Sequence, residues 1–522
     1  MVFSLSSSVK AKDKELLLNK DFYLVCALFL ILFLWSIFSP LPWMAWLGSS
    51  SALTGSLSQI LLLVAFLAAY KLGPRLLKNR LWVVIFIGPA IAACLQWLNL
   101  DPFTPAGVED SLLGRSFAFI GNPNWLSSFL LLGLPLVWMN TSGKLRVGFL
   151  SVLVMGILST GSKAGFLGLG ILVLLSLRSW KVLLCTMLVS GLVLFSFFPT
   201  WESFSRSGYA RLYLWEKTAM ILFEYPWGIG PEAIPFYIAP HLDSTLWEYE
   251  SLTAQITHPH LWPLEILVEL GLLGGVLFLL GMSLLLWRFH THPVGLGLFA
   301  YSLSLVFGFE VFINSAIFWI LMGALVGEWK EDGVKLKERV LFSGAFALCS
   351  LLFVGLLWRG LGAWEYERAR VAIKAEAWES AAEWYQKSVG TYAWDRVTLL
   401  EASEYFLSLE VDQYLPLVEV YLEQLSVLSS NKDPDLAILQ AWLQAREGNK
   451  EGALELLDEA LNHNSADIKS YLLGLRVLGI LEENDKAEAL KQELLDQLPS
   501  FAGEENEQGR IFRKNYPWIF EL

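Results

Sequence analysis

Eleven apolar runs dominate the chain, at about 22–38, 52–70, 81–98, 124–139, 147–160, 164–177, 182–198, 262–287, 294–309, 312–327 and 340–358. Runs of this kind suit helices that cross a bilayer, where every backbone N–H and C=O must be satisfied within the protein. The fold class that follows is all-α: a polytopic membrane helix bundle of about 11 spans. The connecting loops test this independently. Lys10, Lys12, Lys14 and Lys20 precede the first run; Lys71, Arg75, Lys78 and Arg80 follow the second; Lys144 and Arg146 follow the fourth. Arg178 and Lys181 follow the sixth, Arg288 the eighth, and Lys330, Lys335, Lys337 and Arg339 the tenth. Every second loop is basic, the pattern of cytoplasmic loops, so the N-terminus is expected in the cytoplasm. An odd number of crossings then places the C-terminal part outside.

A hydrophobic share of 55% over 522 residues is too high for a soluble globule. Charge divides the chain in two. Of 38 Lys+Arg and 50 Asp+Glu, residues 363–522 hold 15 and 30, net −15, which leaves 23 and 20, net +3, for residues 1–362. The expected organisation is a cytoplasmic segment 1–21, a membrane domain 22–360 and an outer domain 363–522. The acidic outer domain argues against nucleic acid as a partner. Cys26, Cys94, Cys185 and Cys349 all lie in apolar runs and read as small hydrophobes, not as a disulfide framework or a metal set. The first run is long enough to span and is followed by Pro40 and Pro42 without a small-x-small cleavage site, so it is expected to stay as a span.

Residues 363–515 carry aliphatic and aromatic residues at helical spacing with few breakers. AREGNKEGALELLDEALNHN, from Ala445, and ILEENDKAEALKQELLDQLP, from Ile480, share one form: a helix end, a polar turn, a helix. Asn449 and Asn484 are 35 positions apart (484 − 449), close to the tetratricopeptide period of about 34, and AEAWESAAEWYQKSVGTY, from Ala375, resembles an earlier copy. A small TPR-like helical-repeat domain is expected, of a kind that holds a protein partner or docks on its own membrane part.

Three loops fall on the outer side, at 39–51, 99–123 and 199–261. The longest contains ARLYLWEKTAMILF at 210–223, apolar at helical spacing, then Pro226, Gly228, Gly230 and Pro231, so a structured cap is expected there. At its end His258 and His260 stand where the loop enters an apolar helix, and a neutral imidazole accepts a proton near pH 7. Glu265 and Glu269 follow inside that helix, where a carboxylate is costly and therefore a functional candidate. Gly271 and Gly274 offer small residues for close helix approach. The alternative is two loop histidines without a task and two glutamates that hold a bundle together. Arg115, Lys163, Arg206 and Arg211 are cations on the side that the positive-inside rule disfavours, which fits an anion such as a phosphate. Lipid headgroups or the acidic cap are the alternative partners. In Gly121-Asn122-Pro123-Asn124-Trp125, Asn122 and Asn124 either bond a sugar stacked on Trp125 or cap the fourth helix beneath an aromatic belt. The sequence has no phosphate-cradling Gly-x-x-x-x-Gly-Lys loop, zinc spacing or dinucleotide fingerprint, so no metal and no cofactor is expected.

The stretch THPHLWPLEILVELGLLG at 257–274, with His260 and Gly271-x-x-Gly274 at the mouth of a membrane helix, resembles the signature of the O-antigen ligase family. That family also holds bacterial O-oligosaccharyltransferases and is similar to Wzy-type polymerases. Leu261 stands where the family usually has Asn, Ser or Gln. The segment from Arg211 through Trp215 to Pro226 and GIGPEAIPF resembles the family's large periplasmic loop. STGSKAG is similar to its serine-arginine-glycine segment, with Lys163 in place of arginine, and GNPN to its asparagine-containing fourth span. The resemblance covers roughly residues 22–340 and implies a GT-C-like fold. It implies His260 as the base and Arg211 with Lys163 as pyrophosphate ligands; Glu265 is the second catalytic candidate. His258, Glu269, Arg115, Arg206, Asn122 and Asn124 are candidates for substrate binding.

The reaction implied is transfer of a glycan en bloc from a polyprenyl-pyrophosphate donor to an acceptor hydroxyl. It would take place at the periplasmic face of the bacterial inner membrane, without a metal. Acceptors of three kinds stay open: a lipid A core sugar, a Ser or Thr of a secreted protein, or the end of another lipid-linked repeat. Ligase-type transfer comes first and Wzy-type polymerisation second. A non-enzymatic scaffold or a lipid-linked glycan transporter is the reading from another class, and a scaffold has no need of His260.

Overall fold

The computed structural model describes residues 15–49, 54–100, 114–176, 201–252, 254–328, 334–409, 411–503 and 507–515. Ten of the eleven apolar runs fall on helices: Lys20–Ile37, Ser56–Leu72, Leu81–Trp97, Pro123–Asn140, Gly143–Ser159, Lys163–Ser176, Trp262–Phe289, Pro293–Ser304 with the 3₁₀ turn Leu305–Phe307, Phe312–Glu328, and the first half of Glu338–Lys374. The run at 182–198 lies outside the described residues. Local chemistry sets the starts. Asn19 Oδ1 accepts from the Phe22 N–H at 2.9 Å and Asn122 Oδ1 from the Asn124 N–H at 2.8 Å, each satisfying a donor that the first helical turn leaves open. Pro123, Pro263 and Pro293 sit in first turns, where a missing N–H costs nothing.

Lys20–Ile37 and Trp262–Phe289 are long and apolar enough to cross a membrane by length and composition, and five further apolar helices among the described residues have 10–17 residues. Leu273, Leu280, Leu284 and Trp287 form an exposed apolar stripe down one side of Trp262–Phe289, while Phe278, Met282 and Leu285 on the other side are buried.

One element departs from the all-α expectation. Glu15–Leu18 pairs antiparallel with Val334–Lys337, Glu15 opposite Lys337 and Leu18 opposite Val334. This ribbon ties the segment before the first helix to the one that follows Phe312–Glu328.

From Trp378 to Gln497 the chain forms successive hairpins of short helices. The two asparagine turns mark helix starts: Asn449 caps Lys450–His463, and Asn484 opens Asn484–Gln497. The hairpins dock on the long loop. Trp247 is enclosed and donates Nε1–H to the Ala466 carbonyl at 2.8 Å, and Ser465 donates to the Leu242 carbonyl at 3.3 Å. Arg359 Nη1 donates to the Leu47 carbonyl at 2.9 Å, and the rings of Trp43 and Trp394 lie 4.6 Å apart. Arg396 forks onto Asp433 at 2.5 and 2.9 Å, reaches Asp435 at 3.2 Å and covers the Phe236 ring at 5.5 Å.

Candidate active site

The site is assembled on a broken helix. Within Trp262–Phe289, Gly271 has φ 66° and ψ 174°, outside helical space, and the backbone there turns to the GIGPE segment. Ile229 N–H donates to the Val268 carbonyl at 3.1 Å, Gly230 N–H to the Glu269 carbonyl at 2.9 Å, and Leu272 N–H to the Pro226 carbonyl at 2.9 Å. A Cβ on Gly271 would lie 2.3 Å from the Trp227 carbonyl carbon, and one on Gly228 would lie 2.5 Å from Glu269 O. Only glycine allows this approach. Of the expected helix-packing pair, Gly274 meets a helix, with its Cβ position 2.7 Å from the Trp35 ring, but Gly271 meets a turn.

Glu269 is fixed by that turn, its Oε1 accepting from the Glu232 N–H at 2.7 Å. The Glu232 carboxylate in turn accepts from the Thr54 N–H at 3.1 Å and from the Thr54 hydroxyl. Glu265 is buried and accepts from His258 Nδ1–H at 2.7 Å. The two glutamates therefore have different partners. Both line a cleft of about 760 Å³ with Glu310, which accepts from the Ser315 hydroxyl at 2.5 Å.

The histidines are held around one ring. His258 stacks on Phe309 with centroids 4.1 Å apart and planes 9° apart, and His260 meets the same ring edge-on at 5.2 Å. Between them the Pro259 carbonyl accepts from Trp215 Nε1–H at 3.0 Å. His260 takes a left-handed backbone, φ 54°, uncommon for a residue with a side chain. Burial, then the positive fields of Arg211 and His258, push the His260 imidazole down to about 4. For His258, burial favours the neutral ring, but the Glu265 carboxylate outweighs it and lifts the imidazole above its usual range.

Three of the expected cations converge. Arg115 donates through Nε to the Thr160 carbonyl at 2.8 Å and through Nη2 to Asn124 Oδ1 at 2.9 Å. Lys163 opens Lys163–Ser176, just beyond that carbonyl, in the fields of both Arg211 and Arg115. Arg211 projects from Trp201–Glu224, the expected cap helix extended N-terminally, one turn before Trp215. Burial lowers the guanidinium of Arg115, and Arg211 lowers it further; burial also lowers Arg211, with Glu250 opposing. Like charges gathered in a part-buried place favour an anion between them. Arg206 lies on the same helix, its side chain outside the described part of the structure. Asn124 thus orients Arg115, and Asn122 caps its helix.

Sequence spacing brought out both histidines, both helix glutamates and the cations. It missed Phe309, which comes from a different loop with no motif around it, and Glu232, whose importance lies in a backbone turn. Asp433 and Asp435, an Asp-x-Asp pair by sequence, are engaged by Arg396.

Residues 147–279 match a family model described as O-antigen ligase. The match supports that family for this stretch. It spans Lys163, Arg206, Arg211, His258, His260, Glu265, Glu269 and Gly271, and leaves Arg115, Asn122 and Asn124 outside. No curated protein and no solved structure matches the chain.

Proposed function

We propose that the chain transfers a glycan en bloc from a polyprenyl-pyrophosphate donor to an acceptor hydroxyl, with His260 as general base. The observation that carries this reading is a neutral, part-buried imidazole beside a cluster of three cations. The pyrophosphate sits among Arg211, Lys163 and Arg115, whose charges stabilise it as it leaves. Lys163 supplies a point charge where a guanidinium would fork. His260 takes the proton as the acceptor oxygen bonds to the sugar's anomeric carbon; the bond from that carbon to the pyrophosphate oxygen breaks, and the electron pair leaves with the polyprenyl pyrophosphate. Trp215, Phe309 and the His258–Glu265 pair set the position of His260.

This reading includes eleven spans, a cytoplasmic N-terminus, and a periplasmic TPR-like domain beyond the last span. The ribbon between Glu15–Leu18 and Val334–Lys337 supports it, since paired strands on one side require an even number of crossings between them. Ten apolar runs lie between them in the sequence. Ligase-type transfer is favoured over polymerisation.

The test is His260→Ala in cells lacking the native gene, with surface glycan scored on gels beside protein level. Loss of transfer by about 10²–10⁴-fold at normal protein level, with lipid-linked donor accumulating, is the expected result. Undiminished transfer would remove His260 from the chemistry and favour a scaffold or transporter.

A further inference from the structure

The hairpin array holds a second cavity that the transfer site does not use. Helices Arg396–Ser408, Leu436–Arg446 and Ile468–Ile480, the first members of successive hairpins, line an open groove of about 1090 Å³. A smaller cavity of about 540 Å³ beneath the long loop shares Gln255, Arg396 and Asp435 with the groove and reaches Thr257. Gln255 and Thr257 are both exposed. Thr257 stands three residues before His260, so this end lies within about 11 Å of the proposed base along the chain. The two cavities thus adjoin at Gln255, Arg396 and Asp435, and their nearer end borders the loop that carries His260.

Their chemistry suits an uncharged, hydroxyl-rich chain. The charges along them compensate one another: Arg396 is forked onto Asp433 and Asp435, and Lys469 Nζ lies 2.6 Å from Glu404 Oε2. Such pairs attract no charged ligand strongly, yet carboxylate lone pairs and guanidinium N–H groups remain for hydroxyls that both donate and accept. Glu401 and Ser408 add further oxygens. An extended polypeptide needs partners for a row of backbone amides, and Gln255 is the one amide side chain among the residues lining the larger groove. The geometry points to a binding track for a neutral oligosaccharide, the acceptor, leading from the groove to His260. This rests on the transfer reading, and it makes the accepting hydroxyl that of a sugar, not of a protein Ser or Thr.

The test uses the full chain in detergent micelles with two probes: the uncharged fraction of oligosaccharides released from the source cell's envelope by mild acid and freed of lipid, and a Ser/Thr-rich peptide. Saturation-transfer NMR reads the binding of each. The oligosaccharide is expected to bind the unsubstituted chain and to bind at least tenfold more weakly to Gln255→Trp, which blocks the junction of the two cavities from an exposed position. Glu401→Gln, nearly isosteric, is expected to weaken binding too, and covers a failure of the bulkier variant to accumulate. His260→Ala is expected to bind normally. Binding of the peptide in place of the oligosaccharide, no oligosaccharide binding, or binding unchanged in both groove variants overturns the track. If His260→Ala still transfers glycan while the groove variants lose the oligosaccharide, the transfer reading falls and the glycan site stands.

Discussion

His260 works as a base only if its ring is unprotonated when the acceptor arrives, and its surroundings ensure this. With the imidazole held at about 4 by burial, Arg211 and His258, the free protein keeps it neutral well below neutral pH. In the proposed reaction a bound pyrophosphate would cancel the field of Arg211, so the same ring would become more basic in the donor complex, where a proton must be taken up. The acid limb of kcat/KM, which reports the free protein, is therefore expected near pH 4, and that of kcat, which reports the complex, at higher pH. Coincident limbs would contradict this coupling. His258 has the opposite sign. Its value is raised by Glu265, so its contribution to stability is complete below the unfolded value of 6.5 and is lost as pH rises through the folded one. Glu265→Gln should thus lower stability by about 1.5–3 kcal/mol at mildly acidic pH and by less at alkaline pH, as read by thermal unfolding in detergent. The two histidines were legible from their place at a loop end. Phe309, which both rings meet, was not, because contact between loops distant in sequence leaves no periodic trace.

At the scale of the element, the broken helix Trp262–Phe289 decides where the loop histidines stand. Gly271 and Gly274 look alike in sequence, yet one gives up helical geometry to accept a turn and the other packs on a ring. Spacing alone reveals that something comes close, not whether it is a helix or a backbone turn. The two should respond differently to alanine. Gly271→Ala places a Cβ at φ 66° and 2.3 Å from a backbone carbon, neither of which a rotamer change relieves, and is expected to cost well over 2 kcal/mol or to prevent accumulation. Gly274→Ala meets a side chain that can shift, and is expected to cost about 1–3 kcal/mol. Similar losses from both would mean that the kink does not anchor the turn. Trp215→Phe keeps an aromatic ring, though a smaller one, but removes the donor to the Pro259 carbonyl, and should lower kcat more than protein level, because the loop carrying His260 loses its tether.

Over the whole molecule, alternation of basic loops and pairing of two strands are independent constraints on one topology. The first comes from charge, the second from hydrogen bonds that require residues 15–18 and 334–337 to lie on the same side. Nine of the apolar runs between those strands fall on described helices, an odd number, and the apolar run at 182–198 restores the even count from sequence. In the proposed topology the basic loops put the ribbon in the cytoplasm, and one more crossing within Glu338–Lys374 puts the hairpins outside. The helix starts at Asn449 and Asn484 were legible because polar turns interrupt helical spacing there; the ribbon was not, since two four-residue strands carry too little pattern to separate from loop. In a chain whose four own cysteines are replaced by alanine, Lys450→Cys should be labelled by a membrane-impermeant maleimide in intact spheroplasts, and Lys337→Cys only after lysis. Labelling of both before lysis would break the shared topology and with it the placement of His260. Protection of Lys450→Cys would put the repeat domain and the long loop docked against it on the cytoplasmic side, where a donor presented at the outer face would never meet the base.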